Sequence, residues 1–151
     1  MNFRRFIAPT LIGGALVAAA ALGVQQAAAH HAFAAEFDGK APVLLRGKVT
    51  RIEWINPHAW VHVAHVNADG TTTAWMVEGG TPNTLLRAGI DRNSLKAGTE
   101  IIVRGYQSKD KLCRPACKAN GRDVTFPDGR KLFMGSSGTG APRDGADQTE
   151  R

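Results

Sequence analysis

Runs of basic residues are missing from this chain, and so are the short motifs that mark phosphate and dinucleotide sites. The 19 Lys and Arg are spread among 13 Asp and Glu rather than gathered into a stripe, which argues against a nucleic-acid partner. The basic excess suits anionic envelope surfaces or simple solubility. There is no dinucleotide fingerprint, and Gly79-Gly80 before a helix start has no lysine in Walker spacing; that pair reads as a joint, not a phosphate loop. No serine stands in a Gly-x-Ser-x-Gly setting, so no nucleophile elbow is present. The acids are scattered and offer no pair for general acid–base work. Internal repeats are absent. These gaps remove the enzyme classes that sequence patterns reveal, and the reading is a non-enzymatic one.

The chain has 151 residues and only two cysteines, which suits one domain. Arg4 and Arg5 precede an apolar stretch from Phe6 to Val24, and Ala27 and Ala29 satisfy the small-x-small rule of signal peptidase. Residues 1–29 therefore read as a signal peptide cleaved before His30, with export to the periplasm. An uncleaved anchor is the competing reading. Without Arg4 and Arg5 the net charge falls to about +4, and the mature chain is expected to carry no transmembrane helix. In an oxidising compartment Cys113 and Cys117 read first as a local disulfide around Arg114-Pro115-Ala116. A metal pair or a reactive dithiol is the alternative, although Cys-x3-Cys is not the usual zinc or thioredoxin spacing.

Residues 30–41 read as an N-terminal arm that tucks Phe33 and Phe37 onto the body. Pro42 to Ile55 predicts a long strand whose alternation slips after Thr50, the mark of a β-bulge, with Gly47 permitting a bend. Asn56-Pro57-His58 is a corner, because Pro57 cannot donate a ladder hydrogen bond. Ala59 to Val66 is the second strand and Asn67 to Gly70 a hairpin loop with an Asp-Gly signal. Thr71 to Glu78 is the third strand. A short helix follows, with Thr81 as N-cap, Pro82 in the first turn and Gly89 ending it, burying Leu85, Leu86 and Ile90. Thr99 to Tyr106 is the fourth strand, Gln107 to Gly121 a long polar excursion, and Arg122–Phe126 with Lys131–Met134 a last hairpin on Pro127-Asp128-Gly129. Residues 136–151 have no apolar period and read as a disordered tail.

A helix between the third and fourth strands is the OB-fold arrangement, so residues 42–135 are expected to form a mainly β, OB-fold-like five-stranded barrel; a small β-sandwich is the alternative. In such barrels ligands meet the face of strands two and three, framed by the loops between strands one and two and between four and five. Here that places a ligand-binding surface at His58, Trp60 and His62, opposite the loop holding the cysteines. His58 and His62 on a regular strand would stand about 13 Å apart, too far to share a metal. His30 and His31 at a new amino terminus are the better metal candidates, because a terminal histidine offers its amine and ring together and copper suits nitrogen ligands.

His30-His31-Ala32-Phe33 with Glu36-Phe37-Asp38, then Gly47-Lys48-Val49, Trp60-Val61-His62, the stretch Trp75 to Leu86, and Gly129-Arg130-Lys131-Leu132-Phe133 together resemble the uncharacterised exported bacterial family catalogued as domain of unknown function 6152. The resemblance covers nearly all of the mature chain and implies a periplasmic location. It supplies no substrate and no site, and Cys113 with Cys117 is no part of its pattern.

The expectation is a periplasmic binding or accessory module taking a small ligand, a metal ion or an envelope protein. The alternatives are a small copper-binding protein or enzyme using His30, and a structural envelope component. The leader reading is checked by intact mass. Protein recovered from its own envelope should begin at His30, and a mass that retains Met1 or any part of the apolar stretch contradicts it.

Overall fold

A computed structural model describes residues 33–135. The expected leader (1–29), His30 and His31, and the expected tail (136–151) lie outside the described residues. A single helical turn at 33–36 leads into β1 (Phe37–Glu53). Then come β2 (Trp60–Val66), β3 (Thr72–Glu78), the helix α1 (Pro82–Arg87), β4 (Glu100–Ser108), β5 (Cys117–Thr125) and the short β6 (Lys131–Phe133). The molecule is mainly β, as expected.

The strands form a ring. The sheet order is β3-β2-β1-β4-β5-β6, and β3 also pairs with β5. The β3–β5 contact is parallel, from Trp75 opposite Cys117 to Glu78 opposite Asn120, whereas the other pairings are antiparallel. Strands one to five thus close in the order expected of an OB-like fold, with α1 between the third and fourth. Viewed as two faces, the same ring also accommodates the sandwich description. The 17 residues of β1 serve two neighbours: Phe37 to Lys48 face β4, and Gly47 to Glu53 face β2. The register slips between Val49 and Arg51, at the Thr50 phase change. An added Cβ on Gly47 would lie 1.9 Å from the Ala64 carbonyl oxygen, so only glycine lets β2 approach there.

Alternation decides which side chains fill the ring. Leu45, Val49, Val61, Val63, Val77, Val103 and Val124 point inward and are each at most 2% exposed. Leu85 and Ile90 around α1 join the same core. Leu86, expected to do so, is 53% exposed, because adjacent helical residues point about 100° apart and only one of two consecutive leucines meets the core. Thr81 caps α1 through its Oγ1, which accepts from the Thr84 amide at 3.1 Å, and Gly89 follows with φ of 84°. A second cluster, separate from the core, packs Phe33 and Phe37 against Tyr106, so the arm's two phenyl rings do tuck onto the body.

Two boundaries differ from the sequence reading by more than two residues. β1 begins at Phe37 rather than Pro42, and β5 begins at Cys117, inside the stretch read as a polar excursion. Lys118, Asn120, Gly121 and Arg122 are poor strand formers, but β5 is hydrogen-bonded on both edges and tertiary pairing overrides that preference. The excursion shrinks to 109–116, and a Cys113–Cys117 disulfide closes its end. On β4 and β5, Arg104 grips Asp123 through Nε and a terminal nitrogen at 3.0 and 2.8 Å.

Ring closure gives a stability prediction. An added Cβ on Gly105 would meet the Asn120 carbonyl oxygen at 2.1 Å, so Gly105→Ala must push β4 from β5. Urea unfolding should show a loss of about 3 kcal/mol, at the upper end of overpacking costs; a loss under about 1 kcal/mol contradicts the tight β4–β5 approach.

Candidate functional site

Strand register assembles a polar and aromatic face on the outside of the ring. Val61, Val77 and Ala119 point inward and are fully buried, so their chain neighbours point away from the core, with His62, Glu78 and Asn120 themselves buried among the side chains of this face. Glu53 lies opposite Trp60, Trp60 opposite Glu78, and Glu78 opposite Asn120. One step along the strands, Arg51 lies opposite His62, His62 opposite Met76, and Met76 opposite Lys118. These two rows cross β1, β2, β3 and β5. The corner between β1 and β2, with Asn56–Pro57 in the cis form, sits at the head of the face. The 109–116 loop delivers Lys118 to its far side.

Each histidine of this face is tied to a different carboxylate. His62 Nε2 lies 2.9 Å from Glu53 Oε1, which also accepts from Arg51 at 2.7 Å. His58 Nδ1 lies 3.1 Å from Glu78 Oε1 and 3.3 Å from the Gly79 carbonyl oxygen. The two pairs fall on opposite sides of β2, so the structure does not bring His58 and His62 together, in line with the strand-spacing argument. Trp60 stands between them, half-buried, with Lys118 Nζ 5.9 Å from its ring centre. Lys118 also donates to Glu36 at 3.3 Å, which joins the arm to the face. The outward position of His62 matches the sequence reading, but it is only 8% exposed, so it supports the face from beneath more than it presents a contact. Among the described residues, no group of three or more His, Cys, Asp and Glu is arranged to hold a metal ion.

Burial holds the His62 imidazole below its ordinary value, and the Arg51 guanidinium adds to this; the bond to Glu53 opposes both. Burial pushes the Glu78 carboxyl above its ordinary value, and the neighbouring His58 counters part of that. Glu36 pushes it further up and Lys118 draws it down. Glu53, Glu78, Arg51, Lys118 and Glu36 all escaped the sequence reading. The signal was there only in part: Glu78 ends the third strand as read from the sequence, and Glu53 falls near the end of the first. Their shared neighbour, Trp60, becomes evident only once the register is known.

A closed five-stranded ring with one short helix between its third and fourth strands defines a small, mainly β protein. The model of the family of unknown function DUF6152 matches residues 17–114, and the chain belongs to that family. No curated protein and no solved structure matches it.

The His62 environment sets a pH dependence. Because its folded value is lowered, the unfolded chain takes up the proton first as pH falls below about 6.5. Stability is therefore lost between that pH and the lower folded value, and this ring adds no slope above it. In an NMR titration the His62 ring should titrate below the ordinary value, move up in Arg51→Gln and move down in Glu53→Gln. The stability difference between the wild type and His62→Gln should carry the acid slope. A His62 midpoint at or above the ordinary value contradicts the geometry.

Proposed function

We propose that this protein is a non-enzymatic periplasmic binding or accessory module, exported by a cleaved leader, whose ligand or partner surface is the corner between β1 and β2 and the adjoining outer face. His58 and Trp60 are the contact residues, and His62 supports them. The observation that carries this reading is the double row of side chains across β1, β2, β3 and β5. It puts a half-buried tryptophan between two carboxylate–histidine pairs. Aromatic rings supply large contact area at low entropic cost, and fixed polar groups beside them orient what binds. The place also agrees with the face that OB-like folds use, an analogy of fold only. A structural envelope component remains the second reading; it predicts a stable complex with an envelope protein and no small ligand.

The test is native mass spectrometry of protein purified from its own envelope. A bound species should accompany the wild type and be lost from His58→Ala/Trp60→Ala, while thermal unfolding shows the variant folded. A species retained by the double variant, or none on the wild type, contradicts the reading.

A further inference from the structure

A recess lies on the outside of the ring, on residues other than those of the corner. Its floor is three successive pairs of β1 and β4: Arg46 opposite Ile102, Gly47 opposite Ile101, and Lys48 opposite Glu100. Val66, the last residue of β2, stands on one side. Thr125, Phe126 and Pro127, from the end of β5 and its turn, stand on the other. The recess has a volume of about 360 Å³, within the range of small-molecule sites.

The path of the strands explains why it is there. Gly47 opposite His65 is the last pair of β1 with β2. Beyond it the His65 ring takes the place of a backbone partner, with Nδ1 3.0 Å from the Arg46 amide nitrogen and 2.9 Å from the Arg46 carbonyl oxygen. Here β2 parts from β1, and Val66 is left 55% exposed. Alternation turns Arg46, Lys48 and Ile102 outward, because Leu45, Val49 and Val103 fill the core. Ile102 in turn lies opposite Thr125 on β5.

The lining is therefore largely carbon, with charge confined to β1 and its partner Glu100. Lys48 and Glu100 pair with each other at 3.6 Å. Among the described residues the Arg46 guanidinium has no ion pair or hydrogen bond. From β2 across β1 and β4 to β5 is three strand spacings, about 14 Å, and Arg46 stands toward the β2 end. A molecule that fills the recess offers one negative group to Arg46 and an extended apolar body to Ile102, Phe126 and Pro127.

We propose that this recess binds a single-chain monocarboxylate, a fatty acid taken as a monomer from solution, with its carboxylate on Arg46 and its chain running over β4 to the turn after β5. The guanidinium fork matches the two oxygens of a carboxylate. Anionic bilayers are held by clusters of basic residues, and this recess has one unpartnered cation. The site goes beyond the corner surface proposed above and shares no residue with it.

The experiment is titration of lipid-free protein with decanoate below its micelle-forming concentration, read by backbone amide NMR shifts. Saturable shifts should appear at Arg46, Gly47, Val66, Ile102 and Thr125, and not at the corner. Decyltrimethylammonium, with the same chain and the opposite charge, and acetate, with the charge and no chain, should each bind at least about tenfold more weakly. Arg46→Gln should weaken decanoate about tenfold, the scale of a lost charge-assisted hydrogen bond. Val66→Asp, at an exposed position, should abolish saturation, and His58→Ala/Trp60→Ala should leave binding unchanged. Thermal unfolding shows that each variant is folded. No saturable shift, shifts centred elsewhere, equal binding of the cationic chain, or unchanged affinity in Arg46→Gln overturns the proposal. Sedimentation with phosphatidylglycerol vesicles that Arg46→Gln abolishes makes the recess a lipid-surface contact and overturns it as well.

Discussion

The parallel pairing of β3 with β5 is the constraint on which the rest of the molecule depends. Four residues of each strand meet there, from Trp75 opposite Cys117 to Glu78 opposite Asn120, and they turn an open sheet into a ring. A closed ring leaves β1 to β5 without the long unpaired edges that a sheet otherwise exposes. It also does something local. Lys118 and Asn120 lie far from Glu78 in sequence, and only this pairing sets them beside it. The loop closed by Cys113 and Cys117 and the corner at Pro57 come to frame one face for the same reason.

That face is organised by the cost of burying charge. A carboxylate taken out of water must find partners or be protonated. Glu53 finds His62 and Arg51; Glu78, more deeply buried, finds His58 and the field of Lys118. The two histidines are consequently fixed in orientation, one beneath the surface and one at its rim. The bond that settles the Glu78 carboxylate also holds His58 by its Nδ1.

Much of the fold was legible from local patterns, because those patterns report local physics. The slip after Thr50 reported a bulge, Thr81-Pro82 a helix start, and Asn67 to Gly70 a hairpin with Gly70 at a φ of 81°. The second half of β5 was read as a strand, but its first half, Cys117 to Gly121, was hidden because its polar residues lack alternation, and only pairing on both edges makes them a strand. Leu86 was misplaced because a helix of six residues is too short for a periodic signal to separate its faces. At the site, His58, Trp60 and His62 were visible as unusual residues at a corner. Their carboxylate partners were not, since Glu53 and Glu78 are ordinary strand-end acids until long-range register sets them on either side of Trp60.

Ring closure is tested most directly by nuclear Overhauser contacts between the backbones of β3 and β5. Cross-peaks linking Met76 with Lys118 and Glu78 with Asn120, in the staggered pattern of a parallel pair, are the predicted result. If those contacts are missing while the antiparallel pairs of β1, β2 and β4 remain, the sheet is open, the face does not exist, and the account is contradicted.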